Sequence, residues 1–230
     1  MLRHTALFMF REGVTPEQHL LMLKGLAYMR YECATVQHLD FGTDVFGGSR
    51  EMYGVKPYRR TPRWRSRNVG PPANFDVALH LDFIDKEGND AYNDDPVHHE
   101  VADYNASISD AELTARVDWH YDGDPLTTPG HVRHNELFVW DDDISDAAKH
   151  AAFDSIRRLE AAPEVESLVL GRNVGTLPTD FDWILDLHVP DEQACKQLLE
   201  SDLYAEVMRE VAPATKYEWT ARISHVMRGL

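Results

Sequence analysis

A histidine and an arginine recur at matched places in this 230-residue chain, as His4 with Arg116 and again as His134 with Arg222. Histidine moves protons near neutral pH because its ordinary pKa is about 6.5. The planar donor fork of arginine holds a carboxylate or an enolate oxygen. Aimed into one pocket, the two types would combine a proton carrier with an oxyanion binder. The competing reading is structural: each arginine pairs with an acidic neighbour such as Asp118 and braces the fold, because a charge facing an apolar layer needs a partner. Both readings stay open.

The other histidines carry less. His98 and His99 with Glu100 and Asp103 do not match a recognised ligand pattern, so no metal is expected. His80 is expected to face Asp186 as a structural pair between two sheets. His131 marks no site, and His19, His38, His150 and His225 read as surface residues. The chain contains no G-x-G-x-x-G after a strand, no P-loop and no G-x-S-x-G. Nucleotide cofactors and serine-hydrolase chemistry therefore lack support, and no cofactor is expected.

The elements that would position these residues are read from a duplication. "RHTALFMFREGVTPEQHLLMLKGLAYM" from Arg3 lies without a gap over "RHNELFVWDDDISDAAKHAAFDSIRRL" from Arg133. "VQHLDFG" from Val36 matches "VESLVLG" from Val165, and "NFDVALHLDF" from Asn74 matches "DFDWILDLHV" from Asp180. "TAR" recurs at Thr114–Arg116 and Thr220–Arg222, and "RNVG" at Arg67 and Arg172. Matched blocks in one order make the chain a tandem repeat.

Within each unit the first block alternates as a half-buried strand does. Thr15 offers a helix cap ahead of Pro16, with Leu20, Leu23 and Leu26 or Ala27 predicted as the apolar face. In the second unit Ser145 takes the cap, and Ala148, Phe153 and Ile156 supply apolar positions. Two further strands follow, then two short helical stretches around Pro96, then "ELTARVDWHY" as a closing strand. The order β-α-β-β-α-β, twice, predicts an α+β fold of two ferredoxin-like units. Each unit leaves one sheet face bare, so the two sheets are expected to pack into an intramolecular α+β barrel. The units are placed at 1–122 and 132–230, with a Gly- and Pro-rich linker at 123–131.

Strand alternation sorts the faces. His4, Phe8 and Leu79 fall on the helix-covered side, with Arg116 on a neighbouring strand. Asp76, Ala78, His80 and Asp82 fall between the sheets.

The formal charge is −16, which argues against nucleic acid or an anionic membrane as the main partner. No apolar run approaches the ~20 residues that span a bilayer, and the N-terminus reads as a strand rather than a signal peptide. Two isolated cysteines, Cys33 and Cys195, fit a reducing interior, so a cytoplasmic location is expected. The repeats differ most in an insertion at about 43–66. It carries Arg50, Lys56, Arg59, Arg60, Arg63 and Arg65 against Asp44 and Glu51, a net +4. A loop of this length is read either as a lid, with Trp64 and Arg63 meeting an anionic substrate, or as a clamp on the protein's own acidic surface.

With the strands placed, the chain resembles the stress-responsive A/B barrel family of the dimeric α+β barrel superfamily. "RHTALFMFREGVTPE", "FDVALHLDFIDKEGNDAY" and "DPVHHEVADY" carry the resemblance in the first unit. "RHNELFVWDDDIS" and "FDWILDLHVPDEQACKQLL" carry it in the second. Plant polyketide cyclases of this family perform a cofactor-free aldol cyclisation. They keep a histidine early on the first strand, a tyrosine on the second helix and a "PxH" histidine. His4, Tyr92 and His98 stand at the matching positions. In the second unit His134 remains, whereas Leu198 and Tyr204 replace the other two. The family's further histidine on strand three is Val77 here and Trp183 in the second copy.

The resemblance implies a first-unit site in which His98, Tyr92 and His4 are catalytic; the strand faces and the basic insertion add Arg116, Phe8, Leu79, Trp64 and Arg63 as expected substrate contacts. The implied activity is acid/base chemistry of cyclase, isomerase or lyase type, without cofactor, on a polyketide-like or aromatic and anionic small molecule. Cofactor-free oxygenation of an aromatic substrate and ligand binding without turnover are the alternatives. Association of the tandem chain into a homodimer is compatible with this reading.

Overall fold

The computed structural model describes residues 1–47, 73–110, 113–123, 127–175 and 181–230. Trp64, Arg63, the first "RNVG" and nearly all of the basic insertion lie outside the described residues.

The first half runs β1 (Leu2–Phe8), α1 (Pro16–Glu32), β2 (His38–Thr43), β3 (Ala73–Asn74), β4 (Val77–Phe83), α2 (Lys86–Asn93), α3 (Pro96–Ile108) and β5 (Ala115–His120). The second runs β6 (Val132–Phe138), α4 (Asp146–Arg157), β7 (Ser167–Arg172), β8 (Trp183–Val189), α5 (Glu192–Leu199), α6 (Asp202–Val211) and β9 (Ala221–Val226). Apart from β3, the two halves repeat one plan. The caps explain where the helices begin. The Thr15 hydroxyl accepts from Gln18 N–H while the Gln18 side chain answers to Thr15 N–H, and Pro16 sits at the first helical position. Asp95 caps α3 ahead of Pro96, and Ser145 caps α4. No helix among the described residues is long and apolar enough to cross a membrane.

The first sheet has the order β2-β4-β1-β5 and the second β3-β9-β6-β8-β7. In each, the unit's first strand lies between its third and its last, as in a ferredoxin-like unit. Pairings are antiparallel except for β3, which leaves the first half of the chain to run parallel to β9 through Ala73–Ala221 and Asn74–Arg222. Helices cover one face of each sheet. Leu2, Ala6, Phe8, Leu79, Leu81 and Phe83 pack there against Met22, Leu26 and Met29 of α1. The bare faces meet each other through Leu7, Ala78, Val117, Trp119, Leu137, Ile184 and Ile223.

Four expectations need correction. The buried face of α1 is Met22, Leu26 and Met29, while Leu20 is exposed. This helix carries apolar residues on two faces, and α3 packs against only one. The sheets do not close into a continuous barrel. Their edges meet at isolated bonds, such as Val45 N–H to the Ser224 carbonyl at 2.8 Å and Val174 N–H to the Asp118 carbonyl at 2.7 Å. Side chains fill these seams: His225 lies over Gly42 and Trp119 over Gly171, each within 2.6 Å of where a Cβ would stand. His225 is therefore fully buried rather than on the surface.

His80 does not pair with Asp186. Asp186 accepts from Arg3 at 3.4 Å and Asn135 at 3.0 Å, and forms an ion pair at 3.1 Å with Arg133, whose Nε–H donates to His188. His80 contacts the Thr5 hydroxyl at 3.1 Å and stacks on His225 at 5.3 Å. The sheets are thus bridged by two buried arginines, Arg3 on Asp82 and Asp186, and Arg133 on Asp40 and Asp186. Arginine outcompetes histidine here because its charge persists on burial and its fork serves carboxylates on both sheets.

Candidate functional site

The helix-covered face of the first sheet holds a small cavity of about 80 Å³, bordered by β1, β4 and β5 below and by α1, α2 and α3 above. His4, Phe8, Leu79, Tyr92, His98 and Arg116 all line it, so every described residue assigned to the site from sequence meets in one place. The cavity exists because small side chains border it: Ala6 on β1, and Ala102 and Ala106 on α3. Its volume suits a head group of a few atoms rather than a whole drug-sized ligand.

Alternation along β1 turns His4, Ala6 and Phe8 to this face, and the register with β5 sets His4 opposite Asp118 and Ala6 opposite Arg116. His4 Nδ1 lies 2.6 Å from Asp118 Oδ1, with both side chains buried. A carboxylate on Nδ1 keeps the proton on that nitrogen and leaves Nε2 able to accept one. Sequence reading had offered Asp118 as the partner of Arg116. The structure gives its Oδ1 to His4 instead, and Arg116 feels Asp118 as a neighbouring charge. Burial lowers the Arg116 pKa and Asp118 opposes that shift.

Tyr92 on α2 and His98 in the first turn of α3 stack with ring centroids 4.1 Å apart, and Tyr92 lies 6.4 Å from the His4 ring. The stop at Asp94–Asp95 and the restart at Pro96 bring these two residues together from separate helices. Burial, with the Cys33 thiol nearby, pushes the Tyr92 phenol up, so it stays protonated. Among the described residues its hydroxyl donates to the Met29 sulfur at 3.6 Å, a weak acceptor that a ligand oxygen would displace. Burial brings His98 down to about 4, which makes it neutral at pH 7. Its Nδ1 is buried and has no hydrogen-bond partner among the described residues.

The second unit places different chemistry in the same frame. His134 Nδ1 meets the Ser224 hydroxyl at 2.8 Å, where His4 meets Asp118. Tyr204, at the position of His98, donates its hydroxyl to Glu136. A second cavity, of about 250 Å³, lies beside Phe10, His19, Thr43 and Asp44. Its polar groups are engaged: the Asp76 carboxylate accepts from Phe10 N–H, the Asp44 carboxylate from Ser224 N–H, and His19 bonds Thr43. His99 bonds the Asn93 carbonyl at 2.7 Å, and no group of three or more His, Cys, Asp or Glu among the described residues is arranged to hold a metal.

Sequence reading missed two things. One is the pairing of Asp118 with His4, which needed the β1–β5 register. The other is Glu136, whose counterpart Ala6 carries no functional group to draw attention to the position.

No protein-family model matches the chain, and no curated protein matches it. Solved structures do. An anthrone oxidase-like protein is 12% identical over 100% of this chain and 92% of its own, with a TM-score of 0.67. A proposed monooxygenase of Fusobacterium nucleatum is 8% identical over 98% of this chain and 91% of its own, with a TM-score of 0.59. One of Lactobacillus acidophilus is 12% identical over 98% of this chain and 93% of its own, with a TM-score of 0.51. At these identities the likeness is one of fold, and it spans both units. It bears out the fold that the resemblance to the A/B barrel family implies.

Proposed function

We propose that the cavity of the first unit is the active site of a cofactor-independent enzyme that performs acid/base chemistry on a small polyketide-like or aromatic, anionic molecule. The observation that carries this reading is the convergence of the His4–Asp118 pair, His98, Tyr92 and Arg116 on one cavity. His4 Nε2 takes a proton from the carbon next to a carbonyl, and Asp118 stabilises the imidazolium that results. Arg116 and the Tyr92 hydroxyl hold the enolate oxygen. Neutral His98, beside Tyr92, takes or returns a proton at the ligand. The enolate then closes a ring, shifts a double bond or expels a leaving group, which are the cyclase, isomerase and lyase outcomes. In this reading residues 1–122 work, 132–230 serve as scaffold, and the two buried free cysteines suit a reducing compartment.

The test is turnover of polyketide-type and phenolic substrates by the wild type, His98→Ala and Tyr92→Phe. Loss of at least tenfold in both variants supports the assignment; unchanged rates overturn it.

A second reading is cofactor-free oxygenation of an electron-rich aromatic. It is favoured by the whole-length structural neighbours, an anthrone oxidase-like protein and two proposed monooxygenases. Oxygen uptake that tracks substrate loss selects it, and turnover at equal rate without oxygen rejects it. A ligand that binds and is never converted selects a binding protein instead.

A further inference from the structure

The second unit shows what occupies this space when no cavity is left. Ala6 and Glu136 hold the same place in the two repeats: Ala6 lies opposite Leu79 and Arg116, and Glu136 opposite Leu185 and Arg222. In the first unit the room above Ala6 is open. In the second it is taken by the Glu136 side chain, which is buried to 1% exposure. Counterparts of the first-unit site residues hold one oxygen of its carboxylate, Oε1, while Oε2 is buried with no hydrogen-bond partner among the described residues. Tyr204, in the place of His98, donates its hydroxyl to Oε1, and His134, in the place of His4, lies 3.3 Å from the same oxygen. Arg222, in the place of Arg116, adds its charge. Burial acts to raise the carboxyl pKa, yet His134 and Arg222 bring it below the ordinary value. The group is thus a buried carboxylate anchored through Oε1 by a tyrosine hydroxyl and a histidine, with an arginine nearby.

We infer that the first-unit cavity is a carboxylate site, and that Glu136 is the built-in occupant of its twin. The inference rests on the acid/base reading of the same cavity and names the group by which its substrate is held. The ligand carboxylate lies over Ala6, beside Arg116 and within reach of His4 Nε2. His98, through its unpartnered Nδ1, supplies the donor that the Tyr204 hydroxyl supplies in the second unit. About 80 Å³ accommodates a carboxylate and the one or two carbons next to it, so the rest of the substrate extends toward the cavity mouth. The two repeats differ in whether the anion arrives from solution or from the chain.

The experiment titrates the full chain with propionate and with propionamide at constant ionic strength, following the imidazole C–H signals by NMR. Propionate should bind the wild type at one site and at least tenfold more tightly than the amide. Ala6→Glu, which copies the second unit, should abolish this binding, and Arg116→Gln should weaken it at least tenfold. Glu136→Ala should gain a second propionate site, and its melting temperature should rise with acetate and not with acetamide. If Glu136→Ala fails to fold, the Ala6→Glu and Arg116→Gln titrations still decide the matter. Equal binding of acid and amide, or propionate binding that ignores both first-unit substitutions, overturns the inference. The two readings fail separately. Turnover of a neutral substrate without carboxylate binding removes the carboxylate site and leaves the acid/base enzyme. Propionate binding as described, with no substrate turned over, does the reverse.

Discussion

Asp118 joins the two repeats at the candidate site: its carboxylate holds His4 Nδ1 at 2.6 Å, and its backbone N–H donates to the Asn173 side chain at 3.2 Å. Its carbonyl accepts from Val174 N–H at 2.7 Å. Asn173 and Val174 belong to the second "RNVG", so a turn of the second unit clamps the strand that orients a first-unit histidine. If Asp118 sets the tautomer of His4, Asp118→Asn should leave the fold intact and cut kcat by roughly 10²–10⁴. Steady-state rates with circular dichroism as the folding control check this; a loss below threefold would assign Asp118 to structure alone.

Asn173→Ala removes the acceptor for Asp118 N–H together with the bonds to Gly175 N–H and the Phe181 carbonyl. The expected cost is about 1–3 kcal/mol of stability, read as a lower urea midpoint at unchanged m-value. Because the clamp acts through Asp118, the variant should also show a shifted pH–rate profile. A purely structural loss would leave the profile in place.

The parts of this arrangement that rest on local pattern were legible in the sequence. The turn of His4 and Phe8 toward the helices follows from alternation, and Thr15 and Pro16 mark the start of α1 by their chemistry. The parts that depend on how two surfaces meet were not legible. Leu20 and Met22 are equally apolar, and only the packing of α1 against the sheet and α3 decides which is covered. His225 reads as an ordinary polar residue near the chain end. It is buried because Gly42, 183 positions away, has no side chain to exclude it. Arg116 and Asp118 are two apart on one strand and so share a face. That Asp118 serves His4 appears only when β1 and β5 are set in register.

The glycines at the two seams give a test of the stacked-sheet contact. A Cβ at Gly42 would lie 2.6 Å from His225, and one at Gly171 would lie 2.5 Å from Trp119. Both neighbours are fully buried rings. Gly42→Ala and Gly171→Ala should each destabilise by about 1–3 kcal/mol through overpacking. The double variant Gly42→Ala with His225→Ala should recover part of the Gly42→Ala loss, giving a coupling energy of about 1 kcal/mol in a chemical-denaturation cycle. Strictly additive losses would mean that the seam adjusts by moving the strands apart.

The charged layer between the sheets sets how stability responds to acid. Burial holds His80 well below its ordinary pKa, and its neighbours Arg133, His225 and Arg3 act in the same direction against the opposing pull of Asp186. His188, on the same layer, is lowered for the same first reason, burial, although Asp186 resists it. A histidine that is neutral when folded takes up its proton on unfolding. Its contribution is therefore complete above about pH 6.5 and is lost as the pH falls from there toward the folded value. Each such histidine gives a slope of at most about 1.4 kcal/mol per pH unit. Asp40 and Asp186 are lowered as well, against the effect of burial, by His225 and Arg133 at Asp40 and by Arg133 and His188 at Asp186. Their contribution is held down to the ordinary carboxylate value and is lost only below about pH 4. Calorimetry between pH 8 and pH 5 should show a melting temperature that is flat at the upper end and falls below about pH 6.5. His80→Gln should flatten the fall by one proton's worth. A melting temperature constant to pH 5, or a slope that His80→Gln leaves unchanged, would mean that the layer admits a proton without cost.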